Sequence, residues 1–421
     1  MHRLSPIVLA GAVALMCAEN AGARDGFRVL HAFCKKQGCL DGAASTGGVV
    51  LQSDGTLIGA GDGGKNGRGI LFQLTANRHG VDTVYARLHD FCGGNCRDGG
   101  TPDFPPIRDA SGNVYGTAAL GGAHGGGTIF EASADGKLTV LHAFCSGDCN
   151  TGHAPSSGLT YQGAASGQPY DGASALYGTT SQGGSLNGGT VYAFIRQDGK
   201  SRLKTLYNFC STLPCGEGTM PLGGLTVDAS GNIFGVTSLG GANDEGAVFK
   251  LSPAGAKYTY TVIYSFCSAQ SCTDGIRPSA GLALDSAGNL YGTTLRSGDH
   301  DEGTLFTLSA DGYAFQVLYQ FCGQQDCADG GAPAAPLAVD ASGDLFGTTT
   351  QGGAGYGVVF QFIPGANRGT ESVLHSFCAE ANCAGGAIPF SPLTMDASGT
   401  LFGTTAAGGS AGAGVVFELK R

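Results

Sequence analysis

Seven times along this chain a short apolar segment ends in Phe-Cys, with the cysteines at 34, 92, 145, 210, 267, 322 and 378. The spacing stays close to 57 residues, with one long step of 65 between Cys145 and Cys210. A chain written in units of that size buries the apolar face of each unit only against its neighbours, so it builds a solenoid or a ring. The fold is therefore decided by what one unit is.

Residues 290–322, LYGTTLRSGDHDEGTLFTLSADGYAFQVLYQFC, form one unit. LYGTT is short, Thr-rich and bounded by turn residues, which is strand grammar. GTLFTL follows a polar loop, and Ala310-Asp311-Gly312 marks a tight turn because glycine accepts positive φ. FQVLYQF returns to Cys322. After a loop holding Cys327 comes PLAVD, closed by the Asp-Ala-Ser-Gly turn at 340–343. Four short antiparallel strands per unit are the grammar of a propeller blade, and no helical period appears after residue 23. The fold class is all-β: a seven-bladed β-propeller of four-stranded antiparallel blades. The long third step carries an insertion, residues 163–174, between the first and second strands of its blade. The mature chain opens on a return strand, 27–33, and stops after GVVFELK at 414–420 without one. The last blade is accordingly expected to be closed by the N-terminal strand, which leaves no sheet edge free.

The recurring order, a return strand ending in Phe, then DG, P, GL, DxxGNLYGTT, GG and GTVFxL, resembles the GloVer-type tandem repeat, the choice-of-anchor family of bacterial exported proteins. The resemblance covers about residues 27–420. It implies export and a propeller-like repeat domain, and carries no reaction with it. Paired cysteines are not part of the general repeat pattern, and the chain ends at Arg421 without a hydrophobic sorting tail, so C-terminal anchoring is not expected.

Residues 1–23 read as a secretory signal: His2 and Arg3 precede an apolar stretch at 7–18, and Ala21-Gly22-Ala23 fits a cleavage site. Residues 24–421 are then a single propeller domain. Lipidation of Cys17 is the alternative, disfavoured by Met16 before it. Export makes sense of the cysteines, which pair inside repeats: Cys34 with Cys39, Cys92 with Cys96, Cys145 with Cys149, Cys210 with Cys215, Cys267 with Cys272, Cys322 with Cys327 and Cys378 with Cys383. In an oxidising compartment this is a disulfide framework; zinc would need two pairs brought together. The chain carries a net charge of −10 and no basic run, which argues against nucleic acid and anionic membrane surfaces. With a signal peptide removed, no segment reads as a transmembrane helix.

Most candidate polar residues follow the repeat. His31, His89, His142 and His375 share one position with Tyr207, Tyr264 and Tyr319, which marks packing rather than catalysis. Asp41, Asp98, Glu217, Asp274 and Asp329 recur after the second cysteine. They could ring a calcium ion, but capping of turn amides is the preferred reading. Asp109, Asp228, Asp285, Asp340 and Asp396 belong to DASG-type turns. One loop breaks the rule: where six blades keep a Gly-Gly pair, the fifth reads Ser297-Gly298-Asp299-His300-Asp301-Glu302, and the loop before it carries Asp244 and Glu245. These residues, with His124, are the candidate ligand-binding set, and Asp299, Asp301 and Glu302 are candidate calcium ligands; no other cofactor is expected. No Ser-His-Asp order, HExxH, phosphate loop or catalytic carboxylate pair stands out. The expectation is a secreted or periplasmic monomer that binds a glycan or protein at the envelope or outside the cell, as an adhesion or scaffold module. The alternative is a polysaccharide-acting hydrolase or lyase with its site at the channel mouth.

Overall fold

A computed structural model describes residues 26–76, 83–134, 136–197, 200–365 and 369–421. Residues 1–23, read above as a secretory signal, and Cys17 within them lie outside the described residues. Seven four-stranded antiparallel sheets follow one another in chain order, each running from an innermost to an outermost strand. In blade 5 these are Ala283–Leu284, Leu290–Thr294, Thr304–Leu308 and Phe315–Gln320. Blade 1 spans 49–90, blade 2 107–143, blade 3 153–208, blade 4 226–265, blade 6 338–376 and blade 7 394–419. The outer strand of blade 7 is Phe27–Ala32, paired antiparallel with Val415–Leu419. The expected seven-bladed architecture and its closure by the N-terminal strand are both found.

The recurring letters of the repeat have one physical cause. The phenylalanine before each first cysteine is buried, and it meets edge-on the aromatic ring in the third strand of the next blade: Phe266 on Phe306 at 5.2 Å, Phe321 on Phe360 at 5.2 Å, Phe377 on Phe417 at 5.3 Å. The chain's first such residue, Phe33, does the same to Phe72 at 5.3 Å and closes the ring. The tip of each third-strand ring in turn reaches the glycine of its own LYGTT strand. A Cβ on Gly292 would sit 2.5 Å from the Phe306 ring, and Gly347 stands equally close to Phe360. Glycine is required there for close approach, not for turning. The first threonine of the strand reaches across the blade boundary: Thr117 Oγ1 donates to the Ser157 carbonyl at 2.9 Å, and Thr404 to the Ser45 carbonyl over the seam.

The insertion in blade 3 falls where expected. Thr160 still bridges Tyr177, and the excursion between them folds back so that Tyr170, 1% exposed, packs edge-on against Tyr115 of blade 2.

Candidate functional site

The glycine loops leaving the second strand and the cysteine loops entering the next blade share one face, and they are locked together. All seven expected cysteine pairs are joined as disulfides within their own loops. The bonds link Cys34 to Cys39, Cys92 to Cys96, Cys145 to Cys149 and Cys210 to Cys215. They continue with Cys267 to Cys272, Cys322 to Cys327 and Cys378 to Cys383. In every blade the carbonyl of the second cysteine accepts a hydrogen bond from the second residue of the glycine pair. Gly64 donates to Cys39 at 3.1 Å, Gly122 to Cys96 at 2.8 Å, Gly184 to Cys149 at 3.2 Å and Gly241 to Cys215 at 3.1 Å. Gly298 donates to Cys272 at 3.3 Å, Gly353 to Cys327 at 2.9 Å and Gly409 to Cys383 at 2.8 Å. A covalent loop is thus pinned onto the blade that follows it.

The acid after the second cysteine caps the same loop. Asp329 accepts from the Gly323 and Gln324 amides, and Asp274 from Ser268. That agrees with the capping expectation and adds a partner the repeat pattern did not reveal. Each outer strand carries a register shift just before its His or Tyr, as between Leu305 and Phe306 opposite Tyr319. Such a bulge re-aims the following side chain, and here it aims it at the acid: Tyr264 donates to Asp274 at 2.6 Å, Tyr319 to Asp329 at 2.7 Å, and His89 lies 3.0 Å from Asp98. The other face of that ring stacks on the next blade, Tyr264 on Phe315 at 3.7 Å and Tyr207 on Tyr260 at 3.9 Å. Burial pushes the His31 imidazole down to about 4 although Asp41 lies 3.6 Å away. These histidines are structural.

Blade 6 departs from this scheme. Where Tyr260 and Phe315 stack, it carries Glu371, whose Oε2 accepts from Tyr319 at 3.4 Å while Oε1 is buried without a partner. Burial first, and the Asp329 charge second, push its carboxyl up to about 7. A raised carboxyl pKa stabilises the fold fully only below the ordinary value of 4.5, and that contribution is lost as pH rises through about 7. Glu371→Phe, restoring the stack, is therefore expected to stabilise the protein by about 1–2 kcal/mol at pH 8 and by little at pH 5, after discounting for solvent screening. Urea melts at the two pH values measure it; an equal gain at both would refute the assignment.

The irregular acidic loop is built largely like its sisters. Asp301 adopts φ +63°, and its carboxylate accepts from the Ser297 amide at 3.2 Å. Asp244 does the same for Gly240, and Asn187 for Gly183. These are turn-closing side chains at a left-handed position. Glu245 stands 3.9 Å from Arg277, and the backbone carbonyls of Glu245 and Glu302 hold the Arg277 and Ala332 amides of the following blade. The Asp299 amide is held by the Gln320 side chain, and its side chain borders a groove shared with Asp274, Phe315 and Gln320. His300 lies by Gly323 in the next cysteine loop. His124 belongs to blade 2, beside His142, so it does not join the blade 4 and 5 residues. Among the described residues, no group of three or more His, Cys, Asp or Glu side chains is assembled to hold a metal ion.

The feature that sequence reading passed over lies on the axis. The segments entering the innermost strands enclose a cavity of about 610 Å³ to which all seven blades contribute. One position of the repeat supplies Thr46, Asp103, Ser156, Leu222, Ser279, Ala334 and Phe390 in turn. Phe104, Ile107, Leu159 and Pro392 make the rest of the wall mostly apolar. Asp103 is the one ionisable side chain among the described lining residues. Burial, and then the charge of Asp62 on blade 1, push its carboxyl up to about 6; burial also raises Asp62. The only available signal was a column of the repeat that no packing rule holds constant.

Fold and site together define a class: a disulfide-stapled, seven-bladed propeller with an apolar axial cavity. The chain belongs to the family described as the Gloeobacter/Verrucomicrobia repeat, which matches residues 19–172 and 260–421. No curated protein matches it. Among solved structures, one described as streptogramin B lyase is similar at TM-score 0.55 and 12% identity, covering 94% of this chain and 97% of that one. A putative 6-phosphogluconolactonase from Bacteroides uniformis is similar at TM-score 0.48 and 13% identity, covering 79% and 84%. At these identities the likeness concerns the fold alone.

Proposed function

We propose that this protein is an exported binding module that captures its ligand at the mouth of the axial cavity, on the face carrying the disulfide loops. The observation that carries the reading is the cavity itself: enclosed by all seven blades, mostly apolar, and furnished with a single carboxyl. Binding sites are concave, apolar and provided with few, well-placed polar groups. On the rim, by contrast, the carboxylates of Asp41, Asp244, Asp274, Asp301 and Asp329 are engaged in holding loops. Seven disulfides fit an oxidising compartment, the periplasm or the outside of the cell. No helix among the described residues is long and apolar enough to cross a membrane.

The test is a thermal-shift screen of glycans, peptides and apolar small molecules against the protein and against Ser279→Trp, whose indole would fill the cavity. Ligands are expected to raise the melting temperature of the native protein and to lose that effect in the variant. Ligands that stabilise both equally would place binding elsewhere. One observation favours the enzymatic alternative, a polysaccharide-acting hydrolase or lyase: Asp103 on the cavity wall has a second carboxyl, Asp62, near enough for their charges to repel. Turnover of a glycan by the native protein, abolished by Asp62→Asn and by Asp103→Asn, would select that reading.

A further inference from the structure

The axial cavity can be assigned a ligand class, and this assignment rests on the channel-mouth reading above. We propose that the cavity takes an organic ammonium: an apolar body seated among the innermost strands, with one cationic group held at Asp103 against the rings of Phe104 and Phe390. Three independent features of the wall converge on it.

The first is charge complementarity. Among the described residues the cavity lining holds no Lys, Arg or His, and its one ionisable side chain is an acid. Asp62 adds negative potential from the adjoining connection, and no ion pair or hydrogen bond among the described residues engages the Asp103 carboxyl. A half-buried carboxylate without a cation is costly, so a ligand that supplies one gains what the protein has left unmet. The net charge of −10 steers in the same direction.

The second is aromatic. Phe390 is 46% exposed, one of the larger apolar side chains left open to solvent, and it lines the cavity together with Phe104, the residue beside Asp103. Ring faces attract cations, quaternary ammonium groups above all. The third is size and polarity. A cavity of about 610 Å³ walled by Ile107, Leu159, Leu225 and Pro392 accepts an apolar body of small-molecule size and offers little to a polyhydroxylated one.

The experiment uses two probes. N-phenyl-1-naphthylamine is neutral and fluoresces in apolar surroundings, so it reports the cavity regardless of charge; benzyltrimethylammonium is permanently cationic and competes with it. The native protein is expected to bind the fluorophore and release it to the ammonium. Asp103→Asn is expected to weaken the ammonium about tenfold or more while leaving the neutral probe within about twofold. Phe390→Ala, at a position 46% exposed, is expected to weaken the ammonium about five- to tenfold. In the native protein the ammonium affinity is expected to fall as pH drops below about 6, where Asp103 gains its proton. If the fluorophore binds but the ammonium competes equally well against Asp103→Asn, the ligand class is overturned and the cavity reading stands. If the fluorophore fails to bind, or binds Ser279→Trp as well as the native protein, both fall.

Discussion

A chain lacking residues 24–33 is expected to lose cooperative unfolding or to self-associate through the edge it exposes. Phe27–Ala32 pairs along Val415–Leu419, and Arg28 reaches Glu418 at 2.8 Å. The strand also ties blade 7 to both of its neighbours, blades 6 and 1. Phe27 stacks on His375 of blade 6 at 3.8 Å, and Phe33, 1% exposed, packs on Phe72 of blade 1. Burying one such ring contributes about 2–3 kcal/mol, against a net stability of about 5–15 kcal/mol for a typical domain. Losing the strand removes several buried groups and leaves Val415–Leu419 as an unpaired apolar edge, which invites pairing with another chain. Size-exclusion chromatography with a urea melt decides the matter: a truncated protein that stays monomeric and melts like the full chain refutes the shared blade. The milder Phe33→Ala is expected to cost about 3–5 kcal/mol through the cavity it leaves at the seam.

Full reduction is the second large effect. Each disulfide closes a loop of four or five residues in sequence separation, for which loop entropy gives about 2 kcal/mol. Seven together are comparable with the whole net stability of a domain, so reductant is expected to unfold the protein or to lower its melting temperature by on the order of 20 °C. The double variant Cys322→Ser, Cys327→Ser should lose only about 2 kcal/mol, because the Cys327 carbonyl keeps its bond from Gly353. Denatured protein kept from reductant should show no titratable thiol. A melt indifferent to reductant would mean that the loops are held by their hydrogen bonds alone.

The contrast between rim and axis shows how function can be misplaced in a repeat. The acidic loop at 299–302 attracted notice because it breaks the Gly-Gly rule. Yet Asp301 falls in a column whose other members include Asn187, Asp244 and Gly412, all at positive φ. That column is a turn requirement, legible in the sequence once the copies are aligned through the missing residue of blade 6. Glu371 is the opposite case: a charge in a column of Phe27, Tyr85, Tyr260 and Phe315 is visible on alignment, but its burial and its missing partner are not.

What the sequence determined by itself is everything repeated at short range. The number of blades, the four strands of each, the cysteine pairs and the turn aspartates all rest on interactions between residues a few positions or one unit apart, and the shared last blade, though it joins Phe27–Ala32 to Val415–Leu419, is legible because each end of the chain carries part of the unit. The repeated features are written five to seven times, so an error in one copy is corrected by the others. Tertiary structure alone decided the bulge that turns His89 and Tyr319 toward their acids, because a register shift leaves no mark in residue type. It also decided the axial cavity. Each blade gives the axis only two to five residues, drawn from positions as far apart as Thr46 and Phe390. Whether Asp103 faces water or an apolar wall therefore depends on the radius at which seven sheets close, a property of the ring that no single unit contains.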